Sequence, residues 1–134
     1  MNFVNLKIYG QNINLNTITE TLCIAPTFSY NRGDECTYRG KTITYNETCW
    51  IASMEIENAD ETEKKTLAFI NLFYEKRDYI KKLSNECSIN LWITLYQEDN
   101  QYNLHFSNEV LLKISELGAD VDITNMKLEE FYSM

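Results

Sequence analysis

General acid–base chemistry in this chain would depend on one histidine and a scatter of carboxylates. His105 lies in an alternating stretch, on the face opposite to Leu104 and Phe106. A lone histidine of this kind is more often a surface or hydrogen-bonded side chain than a catalytic base. The chain has no GxSxG nucleophile elbow, and its four glycines form no phosphate-binding loop. No catalytic residue is predicted, and the sequence favours a protein that is not an enzyme.

Paired carboxylates raise the question of a metal site. Glu55 and Glu57 stand two apart, which places them on one face of a strand where a cation would be shared. Acids at a strand end that leads into a helix more commonly complement the helix dipole. The cysteines form no zinc spacing, because Cys23, Cys36, Cys49 and Cys87 are all isolated. The sequence therefore predicts no metal, no cofactor and four free thiols.

A helix end and a tight turn are packed into residues 22–34. The residue before Pro26 is pushed out of helical geometry, so a helix must stop ahead of it. Gly33 permits a turn that other residues resist, and it sets where Arg32 and Asp34 point. With Trp50 these residues are candidates for a structural role or for a pocket.

The elements that position these residues follow from hydrophobic periodicity. Alternation predicts strands at 4–9, 49–57 and 89–96, and a returning hairpin strand at 102–106 after a polar turn at 98–101. Residues 41–45 are predicted as a strand because they are rich in Thr, Ile and Tyr, 27–31 as a short extended segment, and 121–123 as a last strand. Helical spacing predicts helices after Asn14, from a capping box at Asp60 and Glu63 to about Asn85, and after Ser107. Residues 32–40 are predicted as a turn or loop, and 127–134 as a helical tail. This order predicts an α+β fold, a mostly antiparallel sheet with helices packed on one face and ferredoxin-like character.

One face of the predicted sheet is polar and aromatic. Alternation places there Asn5, Lys7, Tyr9, Asn90, Trp92, Thr94, Tyr96, Asn103 and His105. Tyrosine, tryptophan and asparagine are typical of interface cores, but exposed antiparallel sheets also favour Tyr, Trp and Thr by propensity. Tyr9, Trp92, Tyr96 and His105 are the candidate partner-binding residues.

Several short segments resemble a bacterial family, domain of unknown function 4279. The resemblance rests on their order: LKIYG, LCIAPT, RGD, CWIASMEI and LHFSNEVLLKISELGADVDIT. It extends from about Leu6 to Thr124 and implies a single domain, with no established activity. We expect one domain over residues 1–134, with a core at about 3–124 and a short tail at 125–134.

Charge and composition narrow the class of protein. The 134 residues are 44% hydrophobic and 13% aromatic, with a formal net charge of −8. Such acidity argues against nucleic-acid binding and is compatible with a basic protein partner. The N-terminal segment lacks a basic region followed by an apolar stretch, and no apolar run approaches the ~20 residues that span a membrane. We expect a cytoplasmic protein that does not engage membranes.

These observations favour a small cytosolic, non-catalytic binding protein. An immunity-type inhibitor of a bacterial toxin is its most concrete form. The alternative is a small-ligand sensor or enzyme with a pocket near Arg32, Asp34 and Trp50. Homodimerisation through the polar aromatic face is a third interpretation.

Overall fold

This computed structural model describes residues 2–97 and 104–127, which contain seven strands and four α-helices. The strands are β1 (Asn2–Gly10), β2 (Phe28–Tyr30), β3 (Glu35–Tyr38), β4 (Lys41–Thr44), β5 (Thr48–Ile56), β6 (Ser88–Gln97) and β7 (Asp120–Lys127). The helices are α1 (Leu15–Leu22), α2 (Thr62–Phe73), α3 (Arg77–Leu83) and α4 (Asn108–Glu116). No helix in these ranges is long and apolar enough to cross a membrane.

The described residues form one main sheet with the strand order β2-β5-β1-β6-β7. β1 lies at its centre and pairs antiparallel with β5 and β6, so that Leu6 faces both Ala52 and Leu91. Only the β6–β7 pair is parallel, and α4 makes that crossover. The predicted α+β class and mostly antiparallel sheet are therefore confirmed. Ferredoxin-like character is not confirmed, because four strands separate α1 from α2 instead of the two of a βαββαβ order.

The core lies between one face of this sheet and the helical layer. Val4, Leu6 and Ile8 of β1 are fully buried, as alternation predicts for a central strand. The same cluster takes in side chains from all four described helices, among them Ile18, Phe73, Ile80 and Ile114. The helices therefore pack on one face, and the opposite face of the sheet carries none of these buried helix residues.

The helix predicted from Asp60 to Asn85 is broken in the structure. α2 ends at Phe73, a single 3₁₀ turn covers Tyr74–Lys76, and α3 follows. The capping box is wrong as well, since Asp60 lies inside a 3₁₀ turn and the α2 cap has no side-chain hydrogen bond. Glu63 instead accepts a hydrogen bond from the backbone N–H of Ser107, ahead of α4. Its carboxylate ties two helices together, which local spacing does not reveal.

The predicted hairpin after β6 is also wrong where it is described. Residues 98–103, with the expected turn, Tyr102 and Asn103, lie outside the described residues, and Leu104 and Phe106 belong to no strand. β6 already pairs with β1 on one edge and β7 on the other, so no edge remains for a returning strand. Leu104 and Phe106 instead pack against the core as the chain leads into α4.

Residues 32–40 were expected to form a loop but contain β3. β3 pairs with β4 as a separate two-stranded hairpin, through a turn in which Arg39 and Gly40 have φ of 51° and 76°. Two successive positive φ angles fit the tight hairpin turns that match strand twist. Most side chains of this hairpin are exposed on both faces, so no alternation marks it in the sequence. The tail prediction also changes, because residues 125–127 continue β7, and residues 128–134 lie outside the described part.

Candidate partner-binding surface

The sheet face turned away from the helices is here called the open face. It carries the odd-numbered side chains of β1 and β5 and the even-numbered side chains of β2, β6 and β7, because successive side chains alternate. Pairing register arranges them in rows across the strands. The first row contains Tyr30, Cys49, Tyr9 and Ser88, and the second contains Phe28, Ile51, Lys7, Asn90 and Asp120. The third row contains Ser53, Asn5, Trp92 and Asp122. The fourth row contains Glu55, Phe3, Thr94 and Thr124.

Two large rings stand exposed near one end of the open face. Trp92 is 38% exposed and Phe3 is 39% exposed. Phe3 pairs with Thr94, which makes it a diagonal neighbour of Trp92 on the adjacent strand. The indole N–H of Trp92 donates to the Thr124 hydroxyl at 3.2 Å and holds the ring toward β7. Tyr96 follows on the same face, and its backbone N–H donates to the Asn2 side chain at 2.7 Å.

The centre of the open face is a hydrogen-bonded polar network. The Ser53 hydroxyl donates to the Asn5 side-chain oxygen, and the Asn5 amide donates to the Trp92 carbonyl at 3.0 Å. Asn90 donates to the Asp122 carboxylate at 2.8 Å. Asn5 and Asn90 are largely buried by their neighbours, and these bonds satisfy them. A network of this kind holds the surrounding rings in fixed positions before any partner arrives.

At the other end of the open face, aromatic side chains pack around a buried cysteine. Cys49 is fully buried and lies between Tyr9 and Tyr30 in the pairing register. Tyr30 stacks on Tyr45 with ring centroids 3.6 Å apart, and the Lys7 ammonium lies 4.5 Å from the Tyr9 ring centroid. Burial, and then a hydrogen bond with the Cys49 thiol, raises the pKa of Tyr30 to about 12. Burial likewise raises the pKa of Cys49, so both groups stay neutral at physiological pH.

Charge on the open face is mostly negative. Glu55, Asp120 and Asp122 are exposed there, on β5 and β7, which lie on either side of the paired strands β1 and β6. Among the described residues of this face, Lys7 is the only cation. The face therefore has the same sign as the whole chain, whose formal net charge is −8. A surface of this sign attracts cationic groups and repels anionic ones.

Comparison with known proteins gives a family but no activity. The family model of a domain of unknown function, DUF4279, matches residues 1–127 of the 134-residue chain. The chain belongs to the DUF4279 family. No curated protein and no solved structure matches it.

The candidate partner-binding residues of this DUF4279 domain do not form one cluster. Trp92 and Tyr96 do share the open face of β6, and Tyr9 shares that face on β1. Tyr9 pairs with Ser88, however, four positions along from the pairing of Asn5 with Trp92. At the rise of an extended strand this is about 13 Å, so Tyr9 is not beside Trp92.

His105 does not lie on the open face of the DUF4279 domain. It is exposed, outside any strand, and two residues before Ser107, whose N–H donates to Glu63 of α2. Residues 104–107 lead into α4 of the helical layer, and β7 occupies the sheet edge that a hairpin strand would have taken.

The turn residues are exposed to solvent, whereas Trp50 is buried. Arg32, Gly33 and Asp34 are exposed between β2 and β3, where the Asp34 carboxylate accepts the Asn31 N–H at 2.8 Å. Trp50 is fully buried on the helix side, and its indole N–H donates to Thr19 at 3.0 Å. A fully buried ring cannot line a pocket that solvent reaches. In this DUF4279 domain Trp50 is a core residue.

Sequence reasoning missed Phe3, Asp120 and Asp122 on the open face. Phe3 alternates with the buried Val4 and Leu6, and this alternation is the signal for it, but the predicted strand begins at Val4, whereas β1 begins at Asn2. Asp120 and Asp122 join the face only because β7 lies parallel beside β6. The described residues contain no group of three His, Cys, Asp or Glu side chains that would hold a metal ion.

Proposed function

We propose that this chain is a small, non-catalytic binding protein of the cytoplasm that recognises a basic protein partner through the open face. In its most specific form it is an immunity-type inhibitor that masks a bacterial toxin. The exposed Trp92 and Phe3 rings beside a hydrogen-bonded polar centre are the observation that carries this proposal.

Aromatic side chains with restricted freedom are the usual anchors of protein interfaces. Trp92 is held by its bond to Thr124, so little conformational entropy is lost when a partner covers it. The side chains of Asn5 and Asn90 beside it already hydrogen-bond within the domain, so a partner that covers them displaces fewer hydrogen bonds to water. This combination favours a preformed contact surface over one that must be ordered on binding.

Charge supports a basic partner. Glu55, Asp120 and Asp122 surround the rings, and the net charge of −8 gives the same sign at long range. Opposite charge accelerates encounter and disfavours acidic competitors. Toxins that act on nucleic acids carry basic surfaces, which is why an inhibitor of this sign suits them.

A small-ligand sensor or enzyme with a pocket near Arg32, Asp34 and Trp50 has less support. Trp50 is enclosed by the core, and the turn residues stand in solvent. A ligand there would have only the exposed turn to contact.

The test begins with the partner that co-purifies from the native cell and continues with that partner in purified form. Trp92→Ala should weaken its binding by roughly 2 kcal/mol, about thirty-fold in Kd, while the melting temperature stays near that of the parent protein. Tyr38→Ala is the matched control, because Tyr38 is 59% exposed on the separate hairpin. It should leave the affinity unchanged.

Two results would count against the proposal. A loss of about 3 kcal/mol in stability for Trp92→Ala, without selective loss of binding, would mean that Trp92 is a structural residue. Equal weakening by Tyr38→Ala would place the contact elsewhere. The immunity-type form has its own check: excess protein should abolish the activity of the purified partner, and full residual activity would refute that form.

A further inference from the structure

β7 forms one outer edge of the sheet. Within the described ranges no further strand pairs with its outer side, although it runs over eight residues. An edge strand presents backbone N–H and C=O groups that a second strand can pair with. Natural sheets commonly block such edges with charged side chains, above all lysine, with proline or with a bulge. Residues 120–124 read Asp-Val-Asp-Ile-Thr, so the charged side chains of this part of the edge are all acids, which disfavour an acidic strand and favour a cationic one.

The two sides of this edge differ in chemistry. On the helix side, Val121 is 39% exposed and Ile123 is 42% exposed. Leu111 of α4 is half exposed, and it lines an open groove of about 380 Å³ together with Ile114 and Val121, while Lys81 and Asp120 are the charged residues of its lining. On the open-face side stand Asp120 and Asp122, both exposed.

We propose that β7 accepts an additional strand from a basic partner, and that this strand alternates apolar residues with Lys or Arg. Successive side chains of an added strand point to opposite faces. Apolar side chains then lie against the exposed Val121 and Ile123, next to the groove that Leu111 lines, while the cations meet Asp120 and Asp122. This rests on the proposed function, because it specifies the chemistry of the same partner at the margin of the open face.

Charge decides between a basic segment and a second copy of this chain. Pairing of two β7 edges would bring two acidic Asp120–Asp122 margins together. Each copy also carries a formal net charge of −8, so self-association is opposed at close and long range. A cationic strand removes both objections and turns the same acids into favourable cross-strand pairs.

A synthetic peptide tests the edge without the partner. A ten-residue, end-blocked and fluorescein-labelled peptide of alternating Lys and Val is titrated with the full chain and followed by fluorescence anisotropy. We expect saturable binding, with slowed hydrogen exchange concentrated in β7. A peptide of the same composition with Lys and Val in pairs should bind at least tenfold more weakly. In the alternating peptide, methylation of every second backbone nitrogen, on the side that faces β7, should also weaken binding at least tenfold.

Matched variants locate the contact. Ile123→Lys should reduce peptide affinity at least tenfold, because it places a cation in the apolar side of the edge. Leu72→Lys makes a comparable change at a leucine of α2 that is 55% exposed, and it should have no effect. Asp122→Asn keeps the shape of the side chain and should lower the affinity and its dependence on salt.

The outcomes separate this inference from the proposed function. Equal binding of the alternating and paired peptides would overturn it, since only general attraction between charges would remain. Concentration-dependent dimers in sedimentation, lost in Ile123→Lys, would also overturn it in favour of a second copy. Neither result involves the natural partner, so the Trp92→Ala test of the open face keeps its own meaning.

Discussion

At the scale of the residue, Gly33 and Gly118 are two of the glycines whose backbone conformation side chains resist. Gly33 has φ of +91° and Gly118 has φ of +72°. A Cβ at Gly33 would meet nothing within 4 Å, whereas at Gly118 it would lie 2.6 Å from the Ser84 hydroxyl. The first position therefore tests backbone conformation alone, and the second adds a steric clash.

Gly33→Val should lower the free energy of unfolding by about 1 kcal/mol or more, through backbone strain. Gly118→Val should cost clearly more, because Ser84 must also move. Gly33→Asn is the control, since asparagine tolerates positive φ better than a β-branched residue. Urea unfolding of the variants measures the differences. An unchanged midpoint and unchanged expression for Gly33→Val would show that the turn is not constrained.

The four cysteines differ mainly in exposure. All four lie in the described part of the chain and carry free thiols: Cys23 is exposed, Cys36 and Cys87 are partly buried, and Cys49 is buried. Burial raises the pKa of both Cys49 and Cys87, which lowers the fraction of reactive thiolate at neutral pH.

Alkylation at pH 7.5 should therefore modify Cys23 first and Cys49 last, with a rate for Cys49 lower by at least about a hundredfold. After unfolding without reductant, all four should be labelled, as mass spectrometry of the intact protein will show. Fewer than four labels would reveal a disulfide and contradict the expected reducing compartment.

At the scale of the element, α2 carries a natural comparison between two buried threonines. Thr62 and Thr66 lie one turn apart and are 1% and 0% exposed. The Thr62 hydroxyl donates to the Ala59 carbonyl, whereas the Thr66 hydroxyl has no hydrogen-bond partner among the described residues. A buried hydroxyl without a partner destabilises the folded state, and a bonded one does not.

Thr66→Val should raise the free energy of unfolding by about 1 kcal/mol, because the methyl group replaces an unsatisfied hydroxyl of similar size. Thr62→Val should lower it by about 1 kcal/mol, since the Ala59 bond is lost. Both substitutions keep a β-branched side chain, so helix propensity changes little. Chemical denaturation measures both, and the same sign for the two variants would contradict the assignment of their hydroxyl groups.

The break between α2 and α3 is stabilised from α4. The Tyr74 hydroxyl donates to the Glu116 carboxylate at 2.8 Å, and this bond is the main cause of a raised pKa at Tyr74. Arg77 lies 3.5 Å from the same carboxylate and donates to the Tyr74 carbonyl at 3.0 Å. These contacts join segments 42 residues apart in sequence, which explains why helical periodicity alone predicted an unbroken helix.

At the scale of the whole molecule, the groups with shifted pKa values all favour the protonated form when folded. The pKa of Tyr30 rises to about 12, and those of Cys49, Cys87 and Tyr74 are also raised. The unfolded chain releases these protons at lower pH than the folded one. Their stabilising contribution is therefore complete below pH 9, the ordinary value for cysteine, and is lost as pH rises toward 12.

The free energy of unfolding should thus fall steadily above pH 9. Tyr30→Phe should flatten the part of this fall between pH 10 and 12, because it removes the tyrosine whose pKa rises from 10.0 to about 12 in the folded protein. Tyr38→Phe makes the same substitution at an exposed position and is the control for the loss of a tyrosine hydroxyl. Chemical denaturation at a series of pH values measures the slopes. Identical slopes for all three proteins would show that Tyr30 does not contribute.

Local signals in the sequence determined much of the fold. Alternation in β1, β5 and β6 identified the buried face correctly, because a half-buried strand must alternate. Asn14 and Ser107 cap α1 and α4 as predicted, since a cap bonds to a backbone N–H only a few residues away. The same alternation assigned Tyr9, Trp92 and Tyr96 to the open face.

The tertiary structure alone decided which strands are neighbours. β7 lies beside β6, and this pairing adds Asp120 and Asp122 to the open face, removes the expected hairpin and places His105 by the helices. The register between β1 and β6 separates Tyr9 from Trp92 along the strands. Periodicity shows which face a side chain takes, because that depends on its own strand. The order of strands depends on burial and hydrogen bonding between distant segments, which no local pattern records.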